Sequence, residues 1–169
     1  MAGNVSFLEK KVSFVPAGNL ETTPYLTVRN AAKAIEFYKT AFGATEILRM
    51  DDPNGRVGHA ELRIGRGRIM LSDEFPEMGN QSPEALGGSP VMIHLYVKNV
   101  DEVVSRAKAA GAKVERPVED QFYGDRGGKI RDPFGHLWWI STHTEDVPVD
   151  ELNRRAAQQF GAKAAKAKV

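Results

Sequence analysis

Two stretches of the chain repeat each other at a fixed offset. Val28-Arg29-Asn30 opens a helical pattern over Ala31–Phe42 that closes on Gly43-Ala44, and Val97-Lys98-Asn99 opens a second over 100–110 that closes on Gly111-Ala112. The offset is 69 residues from Val28 to Val97 and 68 from Gly43 to Gly111. Self-similarity across a whole strand-helix-turn unit constrains fold more tightly than any single motif, because each copy must bury the same faces. The spacing predicts two copies of one half.

In the first half, residues 24–28 read as a strand. Ala34, Ile35, Tyr38, Ala41 and Phe42 then recur at three- and four-residue steps, with Asn30 as N-cap. Residues 46–50 read as a strand, Asp51-Asp52-Pro53-Asn54-Gly55 as a turn, Val57–Ile64 as a half-buried strand and 69–71 as a further strand. The second half repeats this β-α-β-β-β order: a strand at 91–97, a helix facing inward through Val100, Val103, Val104, Ala107 and Ala110, a strand at 113–115, a glycine turn at 124–128, a strand at 129–131, the turn Asp132-Pro133-Phe134-Gly135 and a strand at 137–142. Between the halves, 73–90 holds three Pro and three Gly, as expected of a connector or a loop over a site. From Pro148 a helix is expected, with Asp150 near its cap and Leu152, Ala156 and Phe160 on one face.

Composition narrows the class. At 169 residues, 41% hydrophobic and 27% charged, the chain has the make-up of one globular domain, with no cysteine for disulfides, thiolate ligands or nucleophiles. No apolar run reaches the ~18 residues of a membrane span, and the N-terminus lacks the pattern of a secretory signal, so a cytoplasmic protein is expected. Five of the 23 basic side chains, Arg154, Arg155, Lys163, Lys166 and Lys168, follow the last acid, Glu151, which leaves 18 basic against 22 acidic in residues 1–152. That mildly acidic body argues against a nucleic-acid face.

The doubled β-α-β-β-β unit resembles the vicinal oxygen chelate superfamily of glyoxalase I, bleomycin-resistance proteins and extradiol dioxygenases. The carrying features are the Val-x-Asn entry to each helix, Phe37-Tyr38 inside the first, Gly-Ala after it and Asp-Pro-x-Gly before the last strand. TPYLTV (23–28), AIEFYKTAFGA (34–44), GHAELRIG (58–65), IMLSDE (69–74) and YGDRGGKIRDPFGHLWWIST (123–142) are most similar to its PhnB-like branch. The resemblance implies an α+β fold: two βαβββ modules forming a curved mixed sheet around a cup-shaped cavity, with helices outside. It places an N-terminal extension at 1–21, one domain at 22–145 (modules 22–75 and 90–145, loop 76–89) and a C-terminal helix with basic tail at 146–169.

Period-two alternation then puts Ala60, Leu62 and Ile64 against the helix and His59, Glu61 and Arg63 inside the cup. By the same rule Thr23, Tyr25, Thr27, Met70, Ser72, Met92, His94, Tyr96, Trp139 and Ser141 face inward. The resemblance sets metal ligands five residues before each helix-entry Val, which are Thr23 and Met92, and four residues after the Gly of Asp-Pro-x-Gly, which is Trp139, with Met70 its partner by the repeat. Hydroxyl, thioether and indole do not suit a divalent cation, so no metal and no other cofactor is expected. The alternative is a relocated divalent metal held by His59, Glu61 and His94, or the same residues acting as base.

Other segments carry two readings each. Ser72-Asp73-Glu74 is a base or clamp at the cup mouth, or a strand end with capping carboxylates. Tyr123 to Gly128 presents a phenol, a carboxylate and a guanidinium on one turn: Arg126 suits a ligand carboxylate or phosphate, or it rigidifies the turn through Asp125 or Asp132. His136 is expected to complete its turn and His143 to be solvated. Trp138 fills the core and Trp139 forms an aromatic wall. Two functions follow: a metal-independent homodimer binding a small, flat organic molecule through Tyr25, His59, Ser72, His94, Tyr96, Tyr123, Arg126 and Trp139, or a glyoxalase-like lyase, isomerase or oxygenase working through His59, Glu61 or His94.

Overall fold

Each half of the chain makes the same four-stranded mixed sheet with one long helix behind it. The computed structural model describes residues 12–16 and 18–166, with 162–166 as helix backbone. The first eleven residues of the N-terminal extension and the lysine side chains of the basic tail therefore lie outside the described residues.

Module one contains β1 (Tyr25–Val28), α1 (Ala31–Phe42), β2 (Thr45–Asp51), β3 (Val57–Ile64) and β4 (Gly67–Asp73). Its strand order is β1-β4-β3-β2, parallel only at β1/β4. After a 3₁₀ turn (Pro76–Met78) and the single-turn helix α2 (Pro83–Leu86), module two contains β5 (Met92–Tyr96), α3 (Val100–Ala109), β6 (Lys113–Asp120), β7 (Asp125–Arg131) and β8 (Leu137–His143), ordered β5-β8-β7-β6. Helix α4 (Val149–Lys166) follows. The two sheets are in step with the repeat: Tyr25 faces Met70 across β1/β4, and His94 faces Trp139 across β5/β8, both pairs 69 positions apart.

The caps explain where the helices start. Asn30, at φ 61°, accepts from the Lys33 amide, and Asn99 accepts from the Glu102 amide. Asn tolerates the left-handed region that Asn30 occupies, and either cap satisfies an otherwise orphan donor. On β3 the alternation holds: Ala60, Leu62 and Ile64 are buried against α1, while Arg63 is exposed.

One apolar core spans both modules. Tyr38 and Phe42 of α1 lie against Trp138 of β8, with ring centroids 5.6 and 4.7 Å apart, and burying each large side chain contributes about 2–3 kcal/mol. Trp138 donates its indole N–H to Asp132, whose other partners are the Tyr38 hydroxyl and the Phe134 and His136 amides. His136 also reaches the Thr27 carbonyl at 3.1 Å, so it ties β8 to β1 as well as completing its turn.

Each module forms its own four-stranded sheet as expected, with β1 and β5 as edge strands of separate sheets. The structure differs from the expectation in two places. The connector is partly helical: the Ser82 side chain accepts the Ala85 amide and Pro83 starts α2. Strands β6 and β7 extend well beyond 113–115 and 129–131, because register shifts at Arg116 break the alternation that marks a strand in sequence.

Candidate functional site in the second module

The inner faces of the two sheets carry different chemistry. On the first, the Tyr25 hydroxyl lies 3.1 Å from His59 Nδ1, His59 Nε2 is 3.6 Å from Glu61, and Glu61 is held by Arg68, which also donates to Asn19. Ser72 is buried on β4. Asp73 accepts the Ala31 and Val57 amides, while Glu74 accepts Arg29 and the Ser82 amide, so this strand end is a clamp for backbone and not an open base.

On the second sheet the inner face is a chain of aromatic and polar groups. His94 stacks on Tyr96 at 4.5 Å, its Nε2 lies 3.2 Å from Ser141 Oγ, and it sits across the ladder from Trp139. Tyr96 donates to Asp125 Oδ2 at 2.9 Å. The other oxygen of this buried carboxylate meets His143 Nδ1 at 2.8 Å, and His143 Nε2 reaches Asp146. His143 is thus half-exposed but paired, where solvation alone was expected. Asp125 is set in place by Gly124, at φ 92°, where any Cβ would stand 2.2 Å from the Glu145 carbonyl oxygen.

The protonation states follow from these contacts. Hydrogen bonds to Asp125 and then Asp146 raise the pKa of His143, whereas desolvation lowers that of His94 against the opposing pull of Asp125. The hydrogen bond to Asp125 raises Tyr96, and burial raises Tyr123, so both phenols stay protonated donors at neutral pH.

A cavity of about 330 Å³ opens on this face, at the lower end of the ~300–1,000 Å³ range of small-molecule sites. Met92, His94 and Trp139 form its floor, Phe122 and Tyr123 one wall, and Phe160 of α4 covers it, 6.0 Å edge-on from Phe122. Arg116, Gln121 and Gln159 give it a polar rim. Among the described residues Trp139 Nε1 is buried and makes no well-formed hydrogen bond, although the Tyr123 phenol lies close enough for the indole to lower the Tyr123 pKa against burial. The indole fits because residue 127 is glycine: a Cβ there would lie 2.9 Å from Nε1 and 2.6 Å from Ser141 Oγ.

Of the expected ligand-contacting residues, the structure brings His94, Tyr123 and Trp139 to this cavity, with Tyr96 beside it. Tyr25, His59 and Ser72 are on the other sheet. Arg126 joins neither Asp125 nor Asp132. It makes a bidentate pair with Asp101 at 2.8 Å and a third bond to Asp120, so its guanidinium is engaged. Sequence reading missed Phe122 and Arg116, and gave Phe160 only as part of the apolar face of the terminal helix.

The positions that the resemblance sets for metal ligands divide in the same way. Met92 and Trp139 share the cavity, while Met70 lies on β4 and Thr23 just before β1. A thioether, an indole, a second thioether and a hydroxyl do not fit a borderline or hard divalent cation. Among the described residues, no three His, Asp or Glu side chains gather in a way that could hold a metal, and His59, Glu61 and His94 do not converge. No helix among the described residues is long and apolar enough to cross a membrane.

Residues 20–140 match the family model described as Glyoxalase/Bleomycin resistance protein/Dioxygenase superfamily. An uncharacterized protein of Mycobacterium tuberculosis is 45% identical over 140 residues, covering 81% of this chain and 82% of that one. The crystal structure of TioX from Micromonospora sp. ML1 superposes with a TM-score of 0.56 at 28% identity, over 72% of this chain and 98% of TioX. A Bacillus cereus protein described as a putative 3-demethylubiquinone-9 3-methyltransferase, PhnB protein, shares the fold at a TM-score of 0.57 and 16% identity, over 73% of this chain and 99% of its own.

Proposed function

We propose that this chain, which belongs to the glyoxalase/bleomycin resistance protein/dioxygenase superfamily, is a PhnB-like binding protein that takes up a small, flat organic molecule without a metal. The observation that carries this is the second-module cavity, whose aromatic floor and walls surround a buried Trp139 N–H with no well-formed hydrogen bond among the described residues. Leaving a buried donor without a well-formed bond costs roughly 1–3 kcal/mol, and a ligand carbonyl or ring nitrogen that displaces Tyr123 and meets the indole edge in the ring plane would recover it. His94, kept neutral by desolvation, and the protonated Tyr123 add orienting hydrogen bonds at the same face.

The test is a saturation-transfer NMR screen of planar heteroaromatics, run on protein treated with chelator and again with Zn²⁺, Ni²⁺ or Mn²⁺. Saturable binding that survives chelation, is not strengthened by metal and falls on Trp139→Ala supports the reading. Stoichiometric metal in elemental analysis, or several degrees of stabilisation by one cation at modest excess, sinks it in favour of a lyase or isomerase.

The inner faces also leave Leu48, Met50, Met92 and Tyr96 exposed. Such apolar surface on a half-open cup suits pairing with a second copy. Light scattering at micromolar concentration should give twice the 18.6 kDa chain mass, and the monomer mass would refute pairing.

A further inference from the structure

The internal repeat supplies its own comparison at the two ends of the module junction. At one end, Arg29, which follows β1, is neutralised by Glu74 at 2.8 Å and approached by Glu84 of α2 at 3.6 Å, while Pro83 is buried against Gly135. The connector has laid an acidic turn into that end. At the other end the residues 69 positions away are Lys98 for Arg29, His143 for Glu74 and Arg66 for Gly135. The carboxylate that balanced the first cation has become an imidazole, the glycine has become a second cation, and no connector segment enters.

What remains there is an open cleft of about 610 Å³ between the β3–β4 turn and the start of α3. Its floor is apolar, from Phe42, Ile64 and Val103, and Arg66 and Lys98 stand at its rim. His143 lines the adjoining hollow with both. Neither Arg66 nor Lys98 has an ion-pair partner among the described residues. The carboxylate that lines the cleft, Glu102, is taken by Arg106, which also donates to the Ala41 carbonyl. Two unpaired cations over an apolar floor favour an amphiphilic anion, since the charge needs a counter-ion and the floor favours burying a hydrocarbon body.

We infer that this junction cleft is a second ligand site, which binds an organic anion, a carboxylate or phosphate monoester with an apolar body, through Arg66 and Lys98. It adjoins the Trp139 cavity, sharing His94 with it, but is formed by both modules and takes its anion on Arg66 and Lys98, which the Trp139 cavity lacks. Arg66 and Lys98 are exposed, so replacing them leaves the core intact.

Calorimetric titrations with 1-naphthyl phosphate, 1-naphthoate and neutral 1-naphthol test this on the full chain. Expected are saturable binding of at least one anion, a tenfold or greater loss in R66Q/K98Q, unchanged anion affinity in W139A and, in W139A, binding of 1-naphthol at least tenfold weaker than that of the anion. Preference for the phosphate arm assigns a phosphate ester and preference for the carboxylate arm a carboxylic acid. The inference is overturned if neither anion binds, if naphthol binds W139A as well as the anions do, if R66Q/K98Q binds the anions like wild type, or if W139A removes anion binding. The last result would place the anion in the Trp139 cavity and leave the reading of that cavity standing.

Discussion

The Tyr38 hydroxyl donates to Asp132 Oδ2 at 2.7 Å across 94 residues of sequence, joining the helix of one module to the last turn of the other. Asp132 is buried and carries no ion pair among the described residues. Its charge is held by four donors: this phenol, the Trp138 indole and two backbone amides. Buried carboxylates persist where such donors replace water. Burial first, and Asp132 second, also push the Tyr38 pKa well above its ordinary value, so the phenol remains a donor.

Tyr38→Phe removes one donor and adds no volume. We expect a loss of about 1.5–3 kcal/mol, the range for a hydrogen bond to a charged group, read as a lower urea midpoint at unchanged slope. Asp132→Ala should cost more, because it orphans the phenol, the indole and two amides together. An Asp132→Ala protein as stable as wild type would mean that this cluster does not fasten the modules.

Gly127→Ala tests the packing beneath the cavity. The new methyl would come within 3 Å of both Ser141 Oγ and Trp139 Nε1, so one of them must move, at about 1–3 kcal/mol for overpacking. A changed Trp139 environment should show in the near-ultraviolet circular dichroism. Unchanged stability and spectrum would mean that the indole does not sit over Gly127.

The two imidazoles of the second module should titrate on opposite sides of the ordinary value of 6.5. His143 is raised, so its pairing with Asp125 stabilises fully below pH 6.5 and is lost as pH rises through its folded pKa above that. His94 is lowered, so it costs nothing above 6.5 and destabilises as pH falls through its folded value. Imidazole proton NMR should show the two midpoints split about 6.5. The stability difference between wild type and His143→Gln should be greatest in acid and vanish in base, and a difference independent of pH would remove Asp125 and Asp146 as its charge partners.

The fold was legible because its signals are local and periodic. The cap at Asn30, the alternation over Val57–Ile64 and the 69-residue offset each survive in one dimension, and they return as the start of α1, the burial pattern of β3 and the matching registers of the two sheets. Part of the site was legible for the same reason, since alternation aims His94 and Trp139 inward. What stayed hidden depends on contacts far apart in the chain. Nothing near Arg126 identifies Asp101 as its partner, because the pairing is made by β7 lying beside the start of α3. Phe160 becomes a cavity wall through the course of α4, anchored by Arg155 on Glu145 and on the Phe122 carbonyl. Charge swaps within the repeat, Glu74 against His143, gain meaning only once both copies have a known environment.

The Trp139 cavity allows a prediction that separates stacking from hydrogen bonding. Trp139→Phe keeps an aromatic surface over Met92 but deletes the N–H, which makes no well-formed hydrogen bond among the described residues. Without ligand, the loss of an unsatisfied donor offsets the smaller buried area, so stability should change by less than about 1 kcal/mol. Phe160→Ala, at an exposed ring, should be similarly mild for folding but should uncover the cavity. For a planar ligand carrying an acceptor, Trp139→Phe should weaken binding by about tenfold, the worth of one hydrogen bond, whereas a hydrocarbon of the same outline should bind both proteins alike. Phe160→Ala should weaken both ligands, because the wall it removes is apolar. If Trp139→Phe leaves the acceptor ligand untouched while Phe160→Ala weakens both, the cavity binds by stacking alone, and the indole N–H has no part in recognition.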